Sequence, residues 1–231
     1  MRGLFTDVSP EGMVRAIEAD VQGAWAGMGR STACELNETS DATWMLSGMP
    51  DQDYNKVVRS EFEPEDVDTK IEEVLSYYDS KNVPMSWWLG PSSRPADLGA
   101  RLEAHGMTRG SDPPGMALDI NEVNEDYAPP DGLVIELVQD DDTMARFVHV
   151  STVTFDLPKT MEASILSMTI GAGYGPKDRF RHYLGVLDGE PVATATGYLG
   201  ECVVSVQNIT TLPQARRRGV GTVVTMAPIL E

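Results

Sequence analysis

Three extended runs, Phe180 to Leu187, Pro191 to Tyr198 and Cys202 to Thr210, follow one another with Asp188-Gly189 and Leu199-Gly200 at the joints. Connections this short turn a strand back along its neighbour, because a parallel pair needs a crossover of about a dozen residues or more. The stretch is therefore an antiparallel meander, and such a sheet has to bury at least one face under other elements. It leads through Thr211-Leu212-Pro213 into Gln214 to Thr222, QARRRGVGT, and then into an apolar stretch that reads as a helix. Strands feeding a glycine-containing turn and a helix restrict the fold class to α/β in the wide sense (α+β) with a mainly antiparallel sheet.

Upstream of the meander, Leu133 to Val138 (LVIELV) reads as a further strand. Asp140, Asp141 and Asp142 then precede Met144, Phe147, Val148 and Val150, which is where acids complement a helix N-terminus. Lys159 to Ile170 reads as a second helix, ended by Gly171, Gly173 and Gly175. Before all of these lies Asn121 to Asp131, NEVNEDYAPPD, an acidic stretch closed by Pro129-Pro130 that cannot continue a helix. It reads as a linker, so the expected division is an α/β domain over 1–120, a linker over 121–131 and a second domain over 132–231. In the first part, helical spacing places Met13, Val14, Ile17, Val21 and Trp25 on one face of Pro10 to Met28. Strands are expected at Thr43 to Ser47 and Tyr54 to Phe62, a helix over Glu65 to Ser80, a buried strand over Val83 to Pro91, a short helix over Pro95 to His105, and a last strand at Gly115 to Ile120.

The 231 residues are 41% hydrophobic and 23% charged, enough apolar material for a packed core. With 36 acids against 18 bases the net charge is −18, which repels nucleic acid and anionic lipid, and both are excluded as partners. No apolar run approaches the roughly 20 residues that span a bilayer, and the first residues lack the apolar stretch of a signal peptide, so the expected location is cytoplasmic. Cys34, Cys202, His105, His149 and His182 are scattered without ligand spacing, and no metal is expected. The dense negative surface also fits a protein adapted to high salt, where counterions screen like charges.

QARRRGVGT stands out against that background. Glycine lets backbone N–H groups come close to an anion, and the free N–H groups of the following helix turn carry positive partial charge. Three arginines add a local attraction that reaches about a Debye length, roughly 8–10 Å. The plain alternative is a tight turn whose arginines pair with surface carboxylates. Neither GxGxxG nor GxxxxGK[ST] is present, so dinucleotide-binding and P-loop readings lack their residues.

Thr211-x-Pro213-x-x-Arg216-x-x-Gly219-Val220-Gly221, placed after three antiparallel strands and before a helix, resembles the acetyl-CoA motif of the GCN5-related N-acetyltransferase (GNAT) superfamily. The likeness runs from about Leu133 to the chain end and implies a GNAT-like acyl-CoA N-acyltransferase fold with a mixed, mainly antiparallel sheet. It implies acetyl-CoA as cosubstrate, with the backbone of Ile209, Thr210 and Thr211 on the pantetheine arm and the turn Arg216, Arg217, Arg218, Gly219, Val220, Gly221, Thr222 on the pyrophosphate. The reaction implied is attack of an amine on the thioester, with the oxyanion held by a backbone N–H of the strand before the turn. Glu201 and Asn208 are the catalytic candidates, and Glu136 and His182 are weaker ones. The acceptor would be a small-molecule amine or an amino terminus, and assembly into an oligomer stays open. Trp87-Trp88 followed by ADLGARLEAHGM resembles the family's fifth strand and fourth helix, so the first part reads as a decayed second copy without an arginine turn, or as another α/β domain. The sequence ends about ten residues into the helix after the turn, where the family continues into further elements; truncation is the favoured reading, over a segment supplied in trans or a substitute from Val83 to Ile120 of the first part. The competing function is a catalytically silent acyl-CoA-binding or protein-interaction module.

Overall fold

The computed structural model describes residues 7–200 and 203–231, and the chain divides into a compact unit over Asp7–Ala117 and a second from Leu118 to Glu231. No helix among the described residues is long and apolar enough to cross a membrane.

In the first unit, α1 (Pro10–Gly29) starts at Ser9, whose hydroxyl accepts the Gly12 N–H, with Pro10 in the first turn where its missing donor costs nothing. Strands β1 (Glu35–Glu38), β2 (Ala42–Leu46) and β3 (Asn55–Ser60) run antiparallel in that order. Helix α2 (Val67–Lys81) then carries the chain across to β4 (Ser86–Trp87), which pairs parallel with β3, and α3 (Leu98–Ala104) follows. The spacing that predicts α2 is the one that buries it: Val67, Ile71, Val74 and Tyr78 face inward, and the Tyr78 hydroxyl donates to Met45 O.

Two expectations fail here. Gly115 to Ile120 is not a strand but irregular chain ending in one 3-10 turn, Ile120–Glu122, with Met116 88% and Leu118 61% exposed. Its alternation has no neighbouring strand to pair with, and an unpaired extended segment gains nothing from propensity alone. Of Val83 to Pro91 only Ser86–Trp87 is paired, and both are half-buried. Strand β1, ELNE, went unpredicted because an exposed edge strand carries no apolar alternation.

The second unit has an antiparallel sheet in the order β5 (Leu133–Leu137), β6 (Phe180–Leu187), β7 (Glu190–Leu199), β8 (Val204–Thr211). Helices α4 (Asp141–Thr154) and α5 (Glu162–Gly171) connect β5 to β6, and α6 (Val220–Leu230) follows β8. Asp140 caps α4 by accepting the Thr143 N–H, with Asp141 and Asp142 in its first turn. The alternation of β7 sends its side chains to opposite faces. Ala193 and Ala195 join Tyr183, Leu187, Val220 and Val224 in a core under α6, while Thr194 reaches Ser151 of α4. Small residues on the α6 side let that helix sit close: a Cβ at Gly197 would come within 2.8 Å of Pro228 Cβ.

Candidate functional site

β8 does not run straight. Thr194 pairs with Thr210 and Thr196 with Gln207, which leaves Asn208 and Ile209 opposite Ala195 alone, a β-bulge in which Asn208 has φ +49°. Asparagine is among the few side chains that adopt this left-handed conformation readily. Asn208 and Ile209 are exposed, whereas Thr210 is buried. The bulge is held from β7: the Thr194 hydroxyl donates to Asn208 O at 2.8 Å, and Asn208 Nδ2 donates to Thr196 Oγ1 at 3.4 Å.

Beyond Thr211 the chain makes a single 3-10 turn, Pro213–Ala215, and then becomes left-handed twice, at Arg217 (φ +62°) and at Gly219 (φ +84°). Arg216 Nε donates to Thr211 O at 2.9 Å, which ties the turn back to the strand end. Helix α6 begins at Val220 without a side-chain cap, and the first N–H to find a helical acceptor is that of Val223, bonded to Gly219 O. Among the described residues, the six consecutive N–H groups from Arg217 to Thr222 have no acceptor in the protein. Amides lined up through left-handed residues into a helix start form a concavity suited to an anion. Arg216, Arg217 and Arg218 are exposed, and among the described residues none of the three forms an ion pair with a carboxylate. Among the described residues, then, no acid neutralises the turn.

The two glycines of the turn do different work. A Cβ on Gly219 would touch only Pro130 Cδ and Ala128 O, at 3.9 and 4.0 Å, so φ and not space is what demands glycine there. A Cβ on Gly221 would lie 3.3 Å from Thr211 Oγ1, so this residue lets α6 start close against the end of β8. A groove of about 470 Å³ opens beside the turn, between His149, Val150 and Val153 of α4, the β6–β7 turn at Asp188, and Leu212 and Arg218. It does not extend to the bulge.

Sequence reasoning also named acid–base groups, and they are scattered. Glu201 lies outside the described residues. His182 is fully buried between Phe147 and Phe180, bonds Thr196 Oγ1 through Nδ1 at 2.8 Å, and is pushed down to about 3 by burial. It is a neutral core side chain at physiological pH and cannot reach a substrate. Glu136 is paired with Arg146 at 3.2 Å. Trp87 packs edge-on against Phe62 and donates to Ser60 Oγ at 3.1 Å, so it is part of the first unit's core. What the sequence reading missed is the hydroxyl cluster of Ser151, Thr194, Thr196 and Thr210 beneath the bulge. Its signal in the sequence is the alternation of threonine with alanine in Ala193-Thr194-Ala195-Thr196.

The first unit repeats the local order of a strand leading through a connection into a helix, but with opposite charge. Its β3–α2 connection carries Glu61, Glu63, Glu65 and Asp66 where the second unit carries three arginines. The β3 edge beyond Val57 is also closed by its own chain: Trp88 N donates to Val57 O, Arg94 N to Ser60 O, and Phe62 N to Arg94 O.

No protein-family model and no curated protein matches the chain. Solved structures do. A GCN5-related N-acetyltransferase from Kribbella flavida superposes with a TM-score of 0.69 at 20% identity, over 94% of this chain and 79% of that one. A tandem GNAT protein from the clavulanic acid biosynthesis pathway, solved without AcCoA, gives 0.52 at 15% identity over 98% of this chain and 84% of that one. A functionally unknown conserved protein from Staphylococcus epidermidis ATCC 12228 gives 0.51 at 11% over 85% and 77%. Identities this low speak to architecture.

Proposed function

We propose that this chain, which has the fold of the GCN5-related N-acetyltransferases, binds acetyl-CoA at the β8–α6 turn and transfers the acetyl group to an amine. The observation that carries the reading is the row of six backbone N–H groups, Arg217 to Thr222, that lack an acceptor among the described residues, beside three arginines that pair with no described carboxylate. A diphosphate supplies the acceptors and charge that this turn lacks. Ile209, Thr210 and Thr211 would then lie along the pantetheine arm, with the bulge at Asn208–Ile209 facing the thioester.

In the transfer, the new C–N bond forms as the amine attacks the thioester carbon, and the C–S bond breaks as the tetrahedral intermediate collapses. A backbone N–H of the bulge would stabilise the oxyanion, and Asn208 would orient the amine or a water. The ammonium proton has to leave before attack, and the departing thiolate takes up a proton. Glu201, just before β8, is the proposed carboxylate for the first of these steps. The cytoplasm is the proposed location, and the acceptor a small-molecule amine or an amino terminus.

The first unit is proposed to be a copy of the same layout that no longer takes the cofactor, because its acidic connection repels phosphate and its β3 edge is already occupied by Arg94. A catalytically silent acyl-CoA-binding module is the second reading, favoured by the burial of His182 and the pairing of Glu136. Thiol release from acetyl-CoA across an amine panel, measured beside calorimetric binding, separates the two. Turnover supports the transferase, binding without turnover supports the module, and absence of binding refutes both.

A further inference from the structure

We infer that Thr194 is a positioning residue that sets the β8 bulge, and through it the backbone that faces the thioester in the reading just given. Hydrogen-bond capacity fixes the direction of each contact in the cluster. A threonine hydroxyl has one proton to give and two lone pairs to receive. Thr194 is fully buried, and its Oγ1 has three neighbours: Asn208 O at 2.8 Å, Thr210 Oγ1 at 2.6 Å and Ser151 Oγ at 3.3 Å. Asn208 O can only accept, so it takes the Thr194 proton. The hydroxyls of Thr210 and Ser151 must then both donate to Thr194, and its capacity is filled.

That assignment gives the cluster one direction. Protons run from α4 and from β8 into Thr194, and from Thr194 onto the carbonyl of the one left-handed residue in the bulge. The Asn208 carbonyl faces back to β7 because it has a donor there, and the exposed side of Asn208–Ile209 follows from that orientation. Thr196, two residues on, receives Asn208 Nδ2 and gives the same bulge residue a second anchor. Valine at 194 keeps the shape and loses all three bonds, leaving one carbonyl and two hydroxyls without their partner.

The test compares Thr194→Val and Thr194→Ser with the unaltered protein in two measurements. The first needs no ligand: amide hydrogen exchange over 206–211, with β6 as internal reference. Thr194→Val is expected to speed exchange there by about tenfold, the size of one buried hydrogen bond of 1.4 kcal/mol, while β6 stays protected and Thr194→Ser restores the rate. The second is acetyl-CoA turnover, where Thr194→Val should lower kcat by about tenfold with little change in the affinity set at the turn, and Thr194→Ser should recover it. Unchanged exchange over 206–211 in Thr194→Val, or Thr194→Ser behaving like Thr194→Val, overturns the inference. Faster exchange in a protein that proves not to bind acetyl-CoA leaves Thr194 as the anchor of the bulge and removes only the functional reading. If Thr194→Val fails to fold, Ser151→Ala serves instead: it deletes one donor at the half-buried end of the cluster, and a bulge that exchanges no faster in that variant counts against the network.

Discussion

Replacing Gly219 with alanine tests the turn through its backbone alone. At φ +84° a Cβ meets nothing closer than 3.9 Å, so alanine fits the space and only the conformation is penalised. The left-handed conformation costs an L-residue about 1–2 kcal/mol. With alanine at 219 the free turn relaxes out of the left-handed conformation, so the row of amides is broken and has to be rebuilt when an anion binds. An affinity loss of about 5- to 30-fold corresponds to that range. Gly48 in the first unit is the control, since it too is left-handed (φ +74°) with nothing within 4 Å of a Cβ. Isothermal calorimetry with acetyl-CoA, paired with thermal unfolding to confirm that both variants fold, should show Gly219→Ala losing affinity and Gly48→Ala binding as the unaltered protein does. If Gly219→Ala and Gly48→Ala bind acetyl-CoA equally well, the amides from Arg217 to Thr222 are not the anion site and the functional reading fails with them.

Changing Arg217 and Arg218 together to alanine should weaken acetyl-CoA binding and flatten its dependence on salt, because two exposed positive charges that pair with no described carboxylate are removed from the turn; an unaltered salt slope in titrations from 50 to 500 mM KCl would contradict this. Burial holds His182 down to about 3, below the ordinary value of 6.5, so the unfolded chain takes up its proton first. Its contribution to stability is complete above about pH 6.5 and declines as the pH falls toward 3, and chemical denaturation at pH 7 and 5.5 should show a smaller drop in His182→Leu than in the unaltered protein. The same substitution should leave the acidic limb of any pH–rate profile in place, since the imidazole cannot reach a substrate. With a net charge of −18, melting temperature should rise between low and molar KCl as like charges are screened, and a flat series would remove the case for salt adaptation.

The parts of the fold that were readable are those decided locally. Asp188-Gly189 forces a return of the chain wherever it occurs between two strands, and the spacing of Val67, Ile71, Val74 and Tyr78 can bury only one face of a helix. The strand–turn–helix junction at Thr211 to Val220 was visible for the same reason. Where sequence failed, the deciding partner was remote. Gly115 to Ile120 has the alternation of a strand and no strand beside it, and β1 has a partner but no apolar signal. The bulge at Asn208 is set by Thr194, fourteen residues away on another strand, and nothing in QNIT announces it. From sequence the bare turn could also be read as arginines partnering an acidic surface, and only its place between strand and helix favours an anion site. Only the arrangement of the surrounding acids distinguishes these, and that is a property of the folded chain.

Helix α6 comes especially close to the sheet at two glycines, near its start where Gly221 meets Thr211 and near its end where Pro228 rests on Gly197. A rod held this way acts as a lever, with the strand end as its fulcrum. Bulk added under the far arm, at a residue on β7 about ten ångströms of helix from the amides, would tilt the near arm and turn the six donors away from a common focus. The binding turn is thus aimed from a distance, and a single missing side chain beneath a proline keeps it on target.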